Sequence, residues 1–226
     1  MRIGFLFNHY AAHQLLHAAP IAFELSRSHR AHSVDIFVLS DMLKSVAERI
    51  ARRYPGQDTN IHVLHVPPLA RALDPLVKPF AFLQKNVALK ANIALFQALD
   101  VLVVPEKTSL KLKQEPSLRH LKFVYTHHGA GDRAEAYYPD LARFDLVLAP
   151  GRKIADRLLA QGLVTAERCA IVGYPKFSVT ESLGSSPVAF PEKRTTVLYN
   201  PHYSRTESSW QSMGRAVLDF FRASDR

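Results

Sequence analysis

The residues best suited to chemistry form the segment Val124-Tyr-Thr-His-His-Gly-Ala-Gly-Asp132. An apolar run from Leu121 to Tyr125 is typical of a buried strand, and it ends in two histidines followed by glycines. In an open parallel sheet, ligands bind beyond the carboxyl ends of the strands. Because histidine carries protons near neutral pH, the segment predicts a site with His128 as its reactive group.

The neighbours of His128 are candidates for substrate binding. Gly129 and Gly131 allow a ligand to approach the backbone closely, and their amides are suited to phosphate oxygens. For His127, substrate binding and the capping of a turn both remain open. Asp132 either orients an imidazole or occupies a solvated turn, where Asp is common.

The N-terminal segment carries His9, His13 and His17 at intervals of four residues. If this segment is helical, these side chains share one face, and two of them could bind a metal ion. The lack of nearby carboxylates favours the alternative, in which His13 lines a substrate-binding site. We therefore predict no metal centre.

The charge of the chain favours anionic partners. Lys and Arg total 29 against 20 Asp and Glu, which gives a net charge of +9. Phosphorylated substrates and anionic membrane surfaces fit this excess, and we expect no nucleic-acid partner. The single cysteine excludes an internal disulfide and fits a cytoplasmic protein.

Several motifs are missing from the sequence. It has no P-loop and no Gly-x-Gly-x-x-Gly after the first apolar run, which argues against nucleotide hydrolysis and dinucleotide redox chemistry. We therefore predict no cofactor. No run approaches the ~20 apolar residues that span a bilayer.

Apolar runs of strand length alternate with helix-like stretches. Continuous apolar runs are typical of parallel strands covered on both faces, and the alternation predicts an α/β, doubly wound, mostly parallel Rossmann-like sheet. The predicted strands are Ile3–Phe7, Val34–Leu39, Ile61–Val66, Val101–Val104, Lys122–Tyr125, Leu146–Ala149, Ala170–Val172 and Thr196–Tyr199. The predicted helices are Leu15–Ser28, Asp41–Tyr54 with Asp41 as its cap, a broken Leu69–Leu99, Arg152–Gln161 and Ser208–Arg222.

A change in composition predicts the domain organisation. Residues 178–195 are rich in Ser, Pro and charge, as expected of a linker. We expect an N-terminal domain over residues 1–177 and the first βα unit of a second, truncated domain over residues 196–226. One βα unit cannot bury its own faces. It therefore docks on the first domain or begins a second one.

Three motifs occur in an order that resembles the CDP-glycerol glycerophosphotransferases. They are His128-Gly-Ala-Gly131, Gly173-Tyr-Pro-Lys-Phe177 and Leu198-Tyr-Asn-Pro-His-Tyr203. That family shares the two-domain GT-B architecture with many glycosyltransferases and with UDP-N-acetylglucosamine 2-epimerase. The segment His9–Pro20 also looks like the first strand-to-helix loop of GT-B enzymes.

The resemblance implies transfer of a glycerophosphate or sugar unit from a nucleotide-activated donor to an acceptor hydroxyl in cell-surface polymer synthesis. It implies His128 as the base. Lys176 and His202 would flank an interdomain cleft and meet a phosphate, and surface solvation is the alternative for both. This sequence departs from the family in having Lys176 in place of Arg and Ser178 in place of Asp.

Two other functions remain open. One is a catalytically incomplete GT-B acceptor module that binds a glycan or a partner, and the other is a sugar-nucleotide epimerase. In the GT-B architecture the donor diphosphate sits mainly against the second domain. We therefore predict that the 226-residue chain alone binds acceptor without turnover.

A basic stripe raises the question of membrane binding. Arg71, Lys78 and Lys85 recur every seven residues within the apolar segment 67–99. Such a stretch can lie on an anionic membrane, and a surface helix with a solvated basic edge is the alternative. A membrane-linked acceptor, which the resemblance implies, would place the protein peripherally at the inner face of the membrane.

Overall fold

The chain divides into two compact units, Met1–Gly184 and Ser185–Arg226, in the computed structural model of the protein. The structure describes residues 1–9, 11–68, 70, 83–127, 129, 137–181, 197–202 and 204–223. Unit 1 contains all the described strands, and it is the unit that positions the candidate site.

Unit 1 is built on a parallel seven-stranded sheet. The strands are β1 (Arg2–Phe7), β2 (Ser33–Val38), β3 (Thr59–Val63), β4 (Val101–Val104), β5 (Lys122–Thr126), β6 (Leu146–Ala149) and β7 (Cys169–Ile171). Their order in the sheet is β3-β2-β1-β4-β5-β6-β7. The order reverses between β1 and β4, which is the switch point where α/β sheets of this kind bind ligands. The predicted α/β Rossmann-like class is confirmed.

Helices cover the sheet. They are α1 (Ala19–Ser28), α2 (Asp41–Ala51), α3 (Leu83–Ala91), α4 (Ile93–Gln97), α5 (Arg152–Ala160) and α6 (Pro175–Glu181) in unit 1, and α7 (Trp210–Ala223) in unit 2. Short 3₁₀ helices span Ala12–His17, Thr108–Gln114, Pro116–Leu118, Pro139–Arg143 and Ala166–Arg168. Consecutive residues Phe5, Leu6 and Phe7 are all buried, as expected when both faces of a strand are covered.

The first two predicted helices need correction. A 3₁₀ turn ends at His17, and α1 begins only at Ala19, with Pro20 in its first turn, where the missing amide hydrogen costs no bond. Helix α2 is capped by Ser40 and not by Asp41. The Ser40 hydroxyl accepts a hydrogen bond from the Leu43 amide at 3.3 Å.

Unit 2 lacks the predicted strand at 196–199 over its described part. Residues 197–200 have no regular secondary structure, and Leu198 is 83% exposed. A strand requires a paired neighbour, and the described residues of unit 2 provide none. Residues 178–181 of the predicted linker belong instead to α6, and 182–195 lie outside the described residues.

An ion-pair cluster around one buried carboxylate joins β1, β2 and β3 on one side of the sheet. Asp35 is 1% exposed, accepts a hydrogen bond from Arg2 Nε at 2.8 Å and lies 2.9 Å from His62 Nε2. Burial alone would raise the pKa of Asp35, but the hydrogen bonds from Arg2 and His62 outweigh it and lower the pKa. A carboxyl with a lowered pKa stabilises the fold above its unfolded pKa, and this contribution is lost as the pH falls through the folded value.

Replacing Asp35 with Asn should lower the free energy of unfolding at pH 7 by about 1–3 kcal/mol, because the charged hydrogen bonds are lost. The difference from wild type should shrink below about pH 4. Urea denaturation at pH 7 and pH 3 measures both effects. Asp156→Asn, at an exposed position of α5, is the matched control and should change little. An equal penalty at both pH values would show that the charge is not its source.

Candidate functional site

Three polar residues occupy equivalent positions beyond the carboxyl ends of β1, β4 and β5, and we call them the edge row. In the parallel register Phe5 pairs with Val103, and Val103 pairs with Val124. The residues three positions further along each segment are Asn8, Glu106 and His127. They are 0%, 9% and 4% exposed, respectively. This edge row follows β1, β4 and β5, and it therefore crosses the switch point of the sheet.

Glu106 caps the 3₁₀ helix that begins at Thr108. Its Oε2 accepts hydrogen bonds from the Thr108 amide at 2.5 Å and from the Thr108 hydroxyl. Its Oε1 accepts from the Ser109 amide at 3.2 Å and from the Ser109 hydroxyl. Burial raises the pKa of Glu106 despite these hydrogen bonds and the nearby charge of Lys85. A carboxyl that retains its proton more readily than a surface glutamate is suited to proton transfer beside a ligand.

His127 lies at the end of β5 and packs on Tyr125. The two ring centroids are 5.0 Å apart, with the ring planes at 76°. Tyr125 also contacts Phe144, at 5.1 Å between centroids. Burial raises the pKa of Tyr125, and the charge of Glu106 adds to the effect. His127 is thus a buried ring at the carboxyl edge of the sheet.

A small cavity of ≈ 170 Å³ adjoins Glu106 and Tyr125. Lys85, Lys107 and Tyr138 contribute to its walls. The Lys107 ammonium lies 3.5 Å from the centroid of the Tyr138 ring, a favourable cation–π geometry. At ~30 Å³ per water molecule, the cavity holds about five or six waters, or a small polar group.

The predicted base and its neighbours are only partly described. His128 and Gly131 lie outside the described residues. Gly129 is described: it has no positive φ, and a Cβ added there would meet no atom of the described residues within 4 Å. No described residue therefore requires glycine at this position for steric reasons. Close approach of a ligand remains the predicted reason for it.

Gly129→Ala should leave the free energy of unfolding within about 0.5 kcal/mol of wild type, because the site has room and an ordinary backbone conformation. If a ligand approaches the backbone here, its affinity should fall at least about tenfold, which corresponds to about 1.4 kcal/mol. Urea denaturation and titration calorimetry measure the two effects. Gly151→Ala is the control, because that position is equally open but lies at the start of α5. Unchanged affinity in Gly129→Ala would contradict the proposed ligand contact.

The N-terminal histidines do not share one face. His13 is exposed, and its ring centroid lies 6.4 Å from that of His17, edge-on. A 3₁₀ helix has three residues per turn, so side chains four positions apart do not align. His17 is buried. Among the described residues, no group of three or more His, Cys, Asp or Glu side chains is placed to hold a metal ion.

The Gly173–Phe177 motif contacts the N-terminal segment that carries the three histidines. Gly173 has a φ of +78°, which favours glycine, and it directs the chain into α6. The hydroxyl of Tyr174 lies 2.9 Å from His17 Nδ1, and the two rings stack with centroids 5.6 Å apart. The Gly-Tyr-Pro-Lys motif therefore packs against the segment that follows β1.

Lys176 and His202 lie in different units. Lys176 is a half-buried residue of α6 in unit 1. In unit 2, His202 Nδ1 accepts a hydrogen bond from the Ser204 amide at 3.1 Å and lies 3.2 Å from a Glu207 oxygen. These local contacts organise a turn. Binding of phosphate by Lys176 and His202 remains a prediction.

Asn8 and Glu106 were not among the residues predicted from the sequence. The sequence nevertheless contains a pattern that points to them, because each is the first polar residue after a buried strand whose carboxyl end lies at the switch point. Asn8 directly follows Phe7, and Glu106 is separated from Val104 by one proline. Strand ends elsewhere in the chain carry polar residues too, so strand order was needed to select these two.

Comparison with known proteins gives a likeness in fold. No protein-family model matches the chain, and no curated protein matches it. A solved structure, a putative UDP-N-acetylglucosamine 2-epimerase from Listeria monocytogenes, is similar with a TM-score of 0.53 and 10% sequence identity. The match covers 84% of this chain and 50% of that chain. It supports a GT-B-like Rossmann fold.

The finer resemblance is not supported by these comparisons. An identity of 10% shows the fold alone, and the chain spans half the length of the neighbour that it matches. Membership of the CDP-glycerol glycerophosphotransferase family therefore remains a hypothesis. Over its described residues, the chain contains no helix that is long and apolar enough to cross a membrane.

Proposed function

We propose that this protein acts on a nucleotide-activated substrate and transfers a sugar or glycerophosphate unit to an acceptor hydroxyl. The observation that carries the proposal is the edge row of Asn8, Glu106 and His127 at the switch point of a parallel sheet. Sheets of this class bind ligands at this place. The neighbour in fold is named for a sugar nucleotide, which supports that class of ligand.

The residues around the row would divide the chemistry between them. His128 would take the proton of the acceptor hydroxyl as general base. Gly129 would offer a backbone amide to a phosphate oxygen, since no other described residue crowds that position. Glu106, with its raised pKa, is the second group able to hold a proton near the ligand. The net charge of +9 favours the approach of an anionic donor.

A sugar-nucleotide epimerase is the second candidate, and the likeness to the epimerase fold favours it. The two reactions differ in the bonds that they break. A transferase cleaves the bond between the transferred group and the nucleotide and releases the nucleotide to solution. Inversion at C2 of a sugar breaks a carbon–hydrogen bond, so deuterium from heavy water would enter at C2.

The test is incubation of the full-length gene product in deuterium oxide with CDP-glycerol or UDP-N-acetylglucosamine, followed by NMR. Nucleotide release that depends on an added polyol or glycan acceptor supports the transferase. Deuterium at C2 without dependence on an acceptor supports the epimerase. Binding without either reaction corresponds to the acceptor-module hypothesis. Absence of binding to both compounds contradicts a function on nucleotide-activated substrates.

Membrane association is a further proposal. Of the basic stripe, Lys85 lines the cavity beside Glu106, and its charge acts on that carboxyl. Arg71 and Lys78 lie outside the described residues. Peripheral binding to an anionic membrane therefore rests on the sequence pattern of the segment 67–99 and on the membrane-linked acceptor that the resemblance implies.

A further inference from the structure

The side-chain amide of Asn8 is buried and makes no hydrogen bond to another described residue. Asn8 is 0% exposed, and neither its Oδ1 nor its Nδ2 has a partner in the part of the chain that the structure describes. Burying an amide without hydrogen bonds is unfavourable, and such groups are rare in folded proteins. Asn8 directly follows β1, which is one of the two strands at the switch point. Its amide, which lacks hydrogen-bond partners among the described residues, therefore lies where proteins of this fold class bind their ligands.

Another buried asparagine of unit 1 shows the opposite arrangement. Asn92 Oδ1 accepts a hydrogen bond from the His65 amide at 3.0 Å. Its Nδ2 donates to the His65 carbonyl at 2.8 Å and to the Ala88 carbonyl at 2.7 Å. Asn92 thus holds two segments together and is fully satisfied by the chain. Asn8 has no such structural task.

We propose that Asn8 binds the ligand through a group that both donates and accepts a hydrogen bond, namely a hydroxyl of a sugar or polyol, or an amide. The amide of Asn8 offers one accepting oxygen and one donating nitrogen. A phosphate oxygen without a proton only accepts hydrogen bonds, so it would leave Oδ1 without a donor. An ammonium group only donates, so it would leave Nδ2 without an acceptor. A hydroxyl or an amide does both.

This inference rests on the proposed function and specifies which part of the substrate meets the end of β1. Asn8 selects the sugar or polyol portion, and the diphosphate lies elsewhere along the edge. Since the amide is fully covered, the ligand must move the covering side chains aside to reach it. The amide would then recover in the complex the hydrogen bonds that the chain alone does not supply.

The first experiment compares Asn8→Leu with Asn92→Leu by urea denaturation in the absence of ligand. Leucine has the same branched arrangement of side-chain heavy atoms as asparagine and removes the polar atoms. The midpoint of Asn8→Leu should equal or exceed that of wild type, because an unpaired amide is removed. The midpoint of Asn92→Leu should fall by about 1 M, because its partners are left unpaired. Similar falls in both variants would show that Asn8 is partnered in solution, for example by a buried water, and would contradict the inference.

The second experiment titrates wild type and Asn8→Leu with UDP-N-acetylglucosamine, CDP-glycerol and pyrophosphate by calorimetry. Affinity for the first two should fall at least about tenfold in the variant. Leucine cannot form the hydrogen bonds that the Asn8 amide makes with a substrate hydroxyl, and the hydroxyl is then left unpaired in the complex. Affinity for pyrophosphate should not change. Equal binding of the first two by both proteins, or a parallel loss for pyrophosphate, contradicts the inference alone. Failure of wild type to bind any of the three contradicts the proposed function as well.

Discussion

Replacing His128 with alanine should slow the transfer reaction by about 10²- to 10⁴-fold without unfolding the protein. The acceptor hydroxyl must lose a proton as it attacks, and imidazole is the side chain best matched to that task near neutral pH. β5 ends at Thr126, and the next residue, His127, belongs to the edge row. His128 follows it directly in the sequence. The initial rate of nucleotide release by the full-length gene product measures the effect.

The control for His128→Ala is His29→Ala, an exposed residue at the end of α1. Circular dichroism of both variants should match wild type. For His127→Ala we expect a smaller loss of rate together with a loss of stability, because that ring packs on Tyr125. A folded His128→Ala protein with an unchanged rate would remove the assignment of the base.

Replacing Glu106 with alanine should lower the free energy of unfolding by about 2–4 kcal/mol. The carboxylate accepts hydrogen bonds from the amides and hydroxyls of Thr108 and Ser109, and Ser109 is fully buried. Removing the acceptor leaves these donors unpaired, and those of Ser109 are shielded from solvent. Relief of the cost of burying the carboxyl offsets part of the loss. Urea denaturation at pH 7 measures the change.

Glu115→Ala is the matched control, because Glu115 ends the same 3₁₀ helix and its carboxylate accepts no hydrogen bond from another described residue. It should alter stability by no more than about 0.5 kcal/mol. If Glu106→Ala is as stable as the control variant, the carboxyl is not a structural cap. Its burial at the edge row would then have to be explained by ligand binding alone.

The sheet could be predicted from the sequence because each buried parallel strand is a continuous apolar run. The predicted Val101–Val104 and Leu146–Ala149 coincide with β4 and β6. The run Val197-Leu198 has the same character and yet forms no strand. An apolar run shows only that a segment can be buried, and pairing depends on neighbours that the run itself does not identify.

The candidate site was less accessible to prediction. The position of His127 at a strand end follows from the sequence, because β5 and its polar ending are adjacent in the chain. Asn8 and Glu106 join it only through the register of β1, β4 and β5, which is a property of the assembled sheet. Their burial likewise depends on packing between distant segments. Polar residues after apolar runs are common, and sequence alone does not distinguish a solvated turn from a buried row.

Titration of the isotopically labelled full-length gene product with UDP-N-acetylglucosamine, followed by two-dimensional NMR, tests the edge row as the ligand site most directly. We predict that the largest changes in amide chemical shift occur at Asn8, Glu106, His127 and Gly129. The amides of Ser33 and Lys122, at the amino ends of β2 and β5, should hardly change and serve as internal references. Saturable shifts confined to the amino edge, or the absence of any saturable shift with either this compound or CDP-glycerol, would contradict the account.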